Sequence, residues 1–117
     1  MLRAFVVLAL VAMATAASAH AFLDHASPRV GGTVHGSPAV VKLWFTQELE
    51  PAFSTVRVLD QAGKQVDRGD PHADGRDRAV LQVSVPPLPA GHYRVVWRVV
   101  SVDTHVTEGD FSFEVAP

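Results

Sequence analysis

The chain contains no cysteine, so neither a disulfide nor a thiolate ligand contributes to its fold or to anything it binds. Its two methionines, Met1 and Met13, both precede residue 20, and a soft-metal sulfur site therefore cannot be built from the rest of the chain. Positive charge is also in short supply. Ten Lys and Arg stand against twelve Asp and Glu, for a formal net charge of −2, and no basic stripe is present to track a phosphate backbone. One long apolar run exists, from Ala4 to about Ala17, shorter than the roughly 20 residues that a membrane-spanning helix needs. No glycine-rich phosphate loop, paired-carboxylate signature or Ser-His-Asp triad with a supporting motif is visible.

The apolar run follows Arg3 and ends at Ala17-Ser18-Ala19. A short positive segment, an apolar stretch and a small-x-small tripeptide together predict an export leader, residues 1–19, cleaved before His20. Residues 20–117 then form one small soluble domain that buries roughly 60–65% of its unfolded surface, which implies a modest stability margin. Loss of Arg3 leaves this domain more acidic than the precursor.

From His20 onward apolar residues recur with period two in short runs broken by Gly, Pro and Asp, the pattern of an all-β sandwich or barrel. Strands are predicted near Phe22 to Ser27, Val40 to Phe45, Ser54 to Leu59, Ala79 to Val85, Tyr93 to Ser101 and Asp110 to Val115, with a further short one near Thr33. In the fifth, Tyr93, Val95, Trp97 and Val99 share one face. Trp44 and Trp97 are both expected in the core. Pro89-Ala90-Gly91-His92-Tyr93 matches the tyrosine corner of Greek-key sandwiches. Gln61 to Arg78, with Gly63, Gly69, Pro71 and Gly75 among many charges, reads as a solvated hairpin loop or irregular excursion.

All six histidines lie at or after residue 20. Cleavage before His20 turns an ordinary imidazole into a chelator, because a terminal histidine offers its α-amino nitrogen and its Nδ1 to one metal ion. Asp103 and His105 are two residues apart, so an extended segment places both side chains on one side, where they can meet one ion. Three nitrogens and one carboxylate oxygen suit a tetragonal ion, and Cu(II) outranks the other divalent first-row metals at such a site. His25 is expected to face away from His20 as a surface residue. His35, His72 and His92 are expected as solvated side chains in turns.

The residues resemble the CopC family of small copper-binding proteins of the bacterial periplasm. The likeness rests on His20-Ala21-Phe22-Leu23, Ser27-Pro28, Leu43-Trp44-Phe45-Thr46, Tyr93-Arg94-Val95-Val96-Trp97-Arg98, Val100-Ser101-Val102-Asp103-Thr104-His105 and Phe111-Ser112-Phe113. It implies a seven-stranded, immunoglobulin-like Greek-key β-barrel or sandwich. It also implies a monomeric copper carrier or buffer in copper homeostasis and resistance, with Cu(II) held by His20, Asp103 and His105 and passed to a CopD-type membrane transporter. Two features depart from the family pattern. The methionine-rich loop of some members is replaced by Gln61 to Arg78, which marks this chain as the Cu(II)-only kind, and Gln47 stands where many members carry a glutamate near the metal. Two other classes compete with the carrier: a histidine-brace copper monooxygenase, and a metal-free immunoglobulin-like interaction module.

Overall fold

The computed structural model describes residues 20–117; the expected leader, 1–19, lies outside the described residues. Eight strands follow one another: β1 (Leu23–Ser27), β2 (Thr33–His35), β3 (Val40–Phe45), β4 (Thr55–Leu59), β5 (His72–Asp74), β6 (Asp77–Ser84), β7 (Gly91–Val100) and β8 (Val106–Ala116). Among the described residues the one helical element is a 3-10 turn at Pro51–Phe53. The strands form two open four-stranded sheets, ordered β1-β3-β6-β5 and β2-β8-β7-β4. The architecture is therefore an all-β sandwich and not a closed barrel.

Period-two patterning explains which face each strand buries. Val41, Leu43 and Phe45 of β3 turn inward, as do Val56 and Val58 of β4, Tyr93, Val95, Trp97 and Val99 of β7, and Phe111, Phe113 and Val115 of β8. Burying a side chain of this size stabilises a fold by roughly 1.5–3 kcal/mol. The β7–β8 hairpin is the longest ladder, paired from Gly91↔Val115 to Val100↔Val106. Its turn, residues 101–105, projects at one end of the sandwich.

Several sequence expectations need correction. The strand count is eight where seven were expected, because β5 and the start of β6 fall inside the stretch read as an irregular loop. That stretch is ordered by two carboxylates. Asp67 accepts the Val58 N–H at 2.8 Å and the Gly69 N–H at 3.0 Å, and Asp70 accepts the Ser84 N–H at 2.8 Å. The segment thus ties β4 of one sheet to β6 of the other. Trp44 is only half-buried, on the outer face, stacked on His25 with ring centroids 4.3 Å apart. The strand's own parity demands this, since Leu43 and Phe45 on either side point inward. His35, His72 and His92 are exposed as expected, but they lie in strands β2, β5 and β7 and not in turns. The tyrosine corner is present: Tyr93 donates its phenolic proton to the Pro89 carbonyl at 2.6 Å.

Candidate metal centre

His20 reaches the hairpin turn because the residues after it are anchored on both sides. Ala21 is buried in the core, and its carbonyl accepts the Thr107 hydroxyl at 2.7 Å. Phe22 donates its N–H to the Thr46 hydroxyl and accepts the Thr46 N–H, both at 2.9 Å. Residues 20–22 are thereby clamped between the loop after β3 and the beginning of β8. The His20 and His105 rings come to 4.8 Å between centroids with a 51° tilt, and the Phe22 ring stands 6.2 Å from His20.

Asp103 and His105 also meet, but not as extended neighbours. Residues 101–105 form a tight turn in which Thr104 donates its N–H to the Ser101 carbonyl at 2.8 Å and Ser101 donates its N–H to the His105 carbonyl at 2.9 Å. Thr104 takes a φ of 71°, a left-handed conformation that β-branched residues rarely adopt. The reversal brings His105 Nδ1 to 3.2 Å from Asp103 Oδ2. The other carboxylate oxygen, Oδ1, accepts a short hydrogen bond from the buried Ser101 hydroxyl. The turn is braced against the loop before the 3-10 turn by Val102 N–H to the Glu48 carbonyl at 3.1 Å and by the Leu49↔Ser101 bridge.

The Ser101 hydroxyl, opposed by partial desolvation and helped by His105, holds the Asp103 carboxyl below the usual carboxylate range. It is ionised at neutral pH and ready for a cation. Asp103 Oδ2 and His105 Nδ1 are close enough to share one ion. Among the described residues no three His, Asp or Glu side chains already close around one point; the two imidazoles and the carboxylate meet pairwise. The fourth expected donor is of a different kind. In the uncleaved chain the His20 nitrogen is a peptide amide, and it gains a basic lone pair only when residues 1–19 are removed.

The CopC domain model matches residues 23–116. This chain belongs to the CopC family. The crystal structure of CopC from Methylosinus trichosporium OB3b is 39% identical, with a TM-score of 0.79 over 84% of this chain and 95% of that one. PcoC, a methionine-rich copper resistance protein from Escherichia coli, is 31% identical, with a TM-score of 0.71 over 83% of this chain and 99% of that one. Copper resistance protein C of Xanthomonas campestris pv. juglandis is 34% identical over 94% of this chain and 91% of its own length. The matched CopC domain begins after His20, so the place of His20 in the site rests on its contact with His105 and not on the domain match.

Sequence reasoning singled out His20, Asp103 and His105, which the structure brings near one another, and did not single out the residues that anchor them: Thr46, Ser101 and Thr107. Each is a hydroxyl residue whose partner lies on another segment or across a turn. The one visible signal was Ser101, a polar residue continuing the inward apolar row Tyr93, Val95, Trp97, Val99.

Proposed function

We propose that the protein is exported, cleaved before His20, and acts in the periplasm as a Cu(II) carrier or buffer in copper homeostasis and resistance. In this reading residues 20–117 bind one Cu(II) through the α-amine and imidazole of His20, the carboxylate of Asp103 and the imidazole of His105. The observation that carries it is the juxtaposition of His20 with His105, itself in contact with an ionised Asp103. Nitrogen and oxygen donors without sulfur favour Cu(II) over Cu(I). The Gln47 side chain, on the segment between the Thr46 and Glu48 contacts, adds an amide near the bound ion as a hydrogen-bonding neighbour.

Exposed large apolar side chains also gather at this end. Of the five large apolar side chains exposed among the described residues, Phe22, Phe53, Val102 and Val106 lie on the segments that build this end. Such a rim supports transfer of the ion to a CopD-type membrane transporter by direct docking, with the rim keeping water from the exchanging ligands.

Cu(II) titration followed by EPR on protein beginning at His20, compared with protein carrying one extra residue before it, tests the reading. Tight binding with a nitrogen-rich tetragonal spectrum is expected only for the first. Equal binding by both removes the amine from the site.

A further inference from the structure

On the inner face of β7 the row Tyr93, Val95, Trp97, Val99 is apolar and buried, and the next inward position is Ser101, with 0% of its surface exposed. Alanine would fill that place without placing a hydroxyl in the interior, where an unsatisfied one is costly. The Ser101 hydroxyl is fully engaged. It accepts the His105 N–H at 3.2 Å and reaches Asp103 Oδ1 by a short hydrogen bond. The His105 carbonyl, also 3.2 Å from Ser101 Oγ, is already served by the Ser101 N–H at 2.9 Å. A hydroxyl has one proton to give, and the carboxylate is the stronger acceptor.

We propose that Ser101 is a positioning residue for the metal centre: its buried hydroxyl fixes the Asp103 carboxylate, and through it the His105 ring, in the arrangement that receives copper. The inference rests on the reading of Asp103 and His105 as copper ligands. Val102, Asp103 and Thr104 are all exposed, so without this bond the carboxylate would sample several rotamers, and ordering it would oppose metal loading. With Oδ1 held, Oδ2 faces His105 Nδ1. This favours the Nδ1–H tautomer in the metal-free protein. A group that orients a metal ligand by hydrogen bonding changes metal affinity by about 10–100-fold in other sites.

The test uses protein beginning at His20 and a double-mutant cycle of Ser101→Ala and Asp103→Ala, read by Cu(II) competition binding and EPR. Imidazole nitrogen shifts of the metal-free protein give a second readout. Ser101→Ala is expected to weaken Cu(II) about 10–100-fold in the otherwise unchanged chain, to have no further effect beside Asp103→Ala, and to erase the Nδ1–H preference of His105 before any metal is added. Ser101→Thr, which keeps the hydroxyl, retains binding; if Ser101→Ala does not fold, Ser101→Cys, which fills the same space with only a weak donor, replaces it. An equal loss in both backgrounds, or no loss while Asp103→Ala weakens binding, overturns the role of Ser101 alone. Unchanged affinity in Asp103→Ala overturns the ligand assignment of Asp103 and the inference with it.

Discussion

The imidazoles of His20 and His105 stand 4.8 Å apart between ring centroids, although one is the first described residue and the other sits in the turn before the last strand. They are joined through three anchors: Ala21 buried in the core, Thr46 bonded to Phe22, and Thr107 bonded to the Ala21 carbonyl.

Replacing His105 by alanine removes one ring of this pair without touching the core, since His105 is exposed. Cu(II) affinity is expected to fall by more than the roughly 10–100-fold seen for residues that only support a ligand, while the unfolding midpoint of the metal-free protein stays close to its original value. A retained affinity in a competition titration would remove His105 from the ligand set.

Acid is expected to act twice. Protons compete with copper for amine and imidazole nitrogens, so the d–d band should fade at mildly acidic pH. Asp103 and Asp70 have folded-state pKa values lowered chiefly by hydrogen bonds from Ser101 and Ser84 respectively. A lowered folded pKa gives stability that is complete above the unfolded carboxylate value, about 3.9, and is lost as pH falls through the folded value. Copper should therefore leave while the fold is intact, with the thermal midpoint declining only below about pH 4. A band that survives until the protein unfolds would contradict the amine and imidazole site.

Gly109 lies opposite Trp97 in the β7–β8 ladder, and a Cβ there would stand 2.3 Å from the indole Cζ2. The indole is buried and packed against Phe45, so it cannot swing away. Gly109→Ala should destabilise the protein by about 1–3 kcal/mol through overpacking, seen as a lower urea midpoint and altered tryptophan emission.

Tyr93→Phe keeps the ring stacked on Phe113 and deletes the hydrogen bond to the Pro89 carbonyl. The expected loss is about 0.5–1.5 kcal/mol, with copper binding unaffected, because the corner lies at the opposite end of β7 from residues 101–105. Coupled losses of stability and copper affinity would show that the two ends communicate.

Much of the fold was legible because alternation fixes the face of every strand residue. The ladder from Val40 to Phe45 and the inward row from Tyr93 to Val99 follow from period two alone. Trp44 lies outside the core because strand parity, and not side-chain size, sets its face. β5 was missed because His72-Ala73-Asp74 is too short and polar to alternate, and its pairing is stabilised by Asp70, Gln82 and a neighbouring strand.

The sequence by itself determined which nitrogen- and oxygen-bearing side chains are on offer from residue 20 onward, the absence of sulfur among them and the all-β character, since these depend on residue identity and local spacing. Only the tertiary structure decided that His20 meets His105 and that Asp103 is held by a buried serine. It also decided that the Asp103-Thr104-His105 clip closes through a left-handed turn and not along an extended strand. Those relationships arise from hydrogen bonds between segments far apart in the chain and from a backbone reversal at Thr104, and neither leaves a periodic mark on the order of the residues.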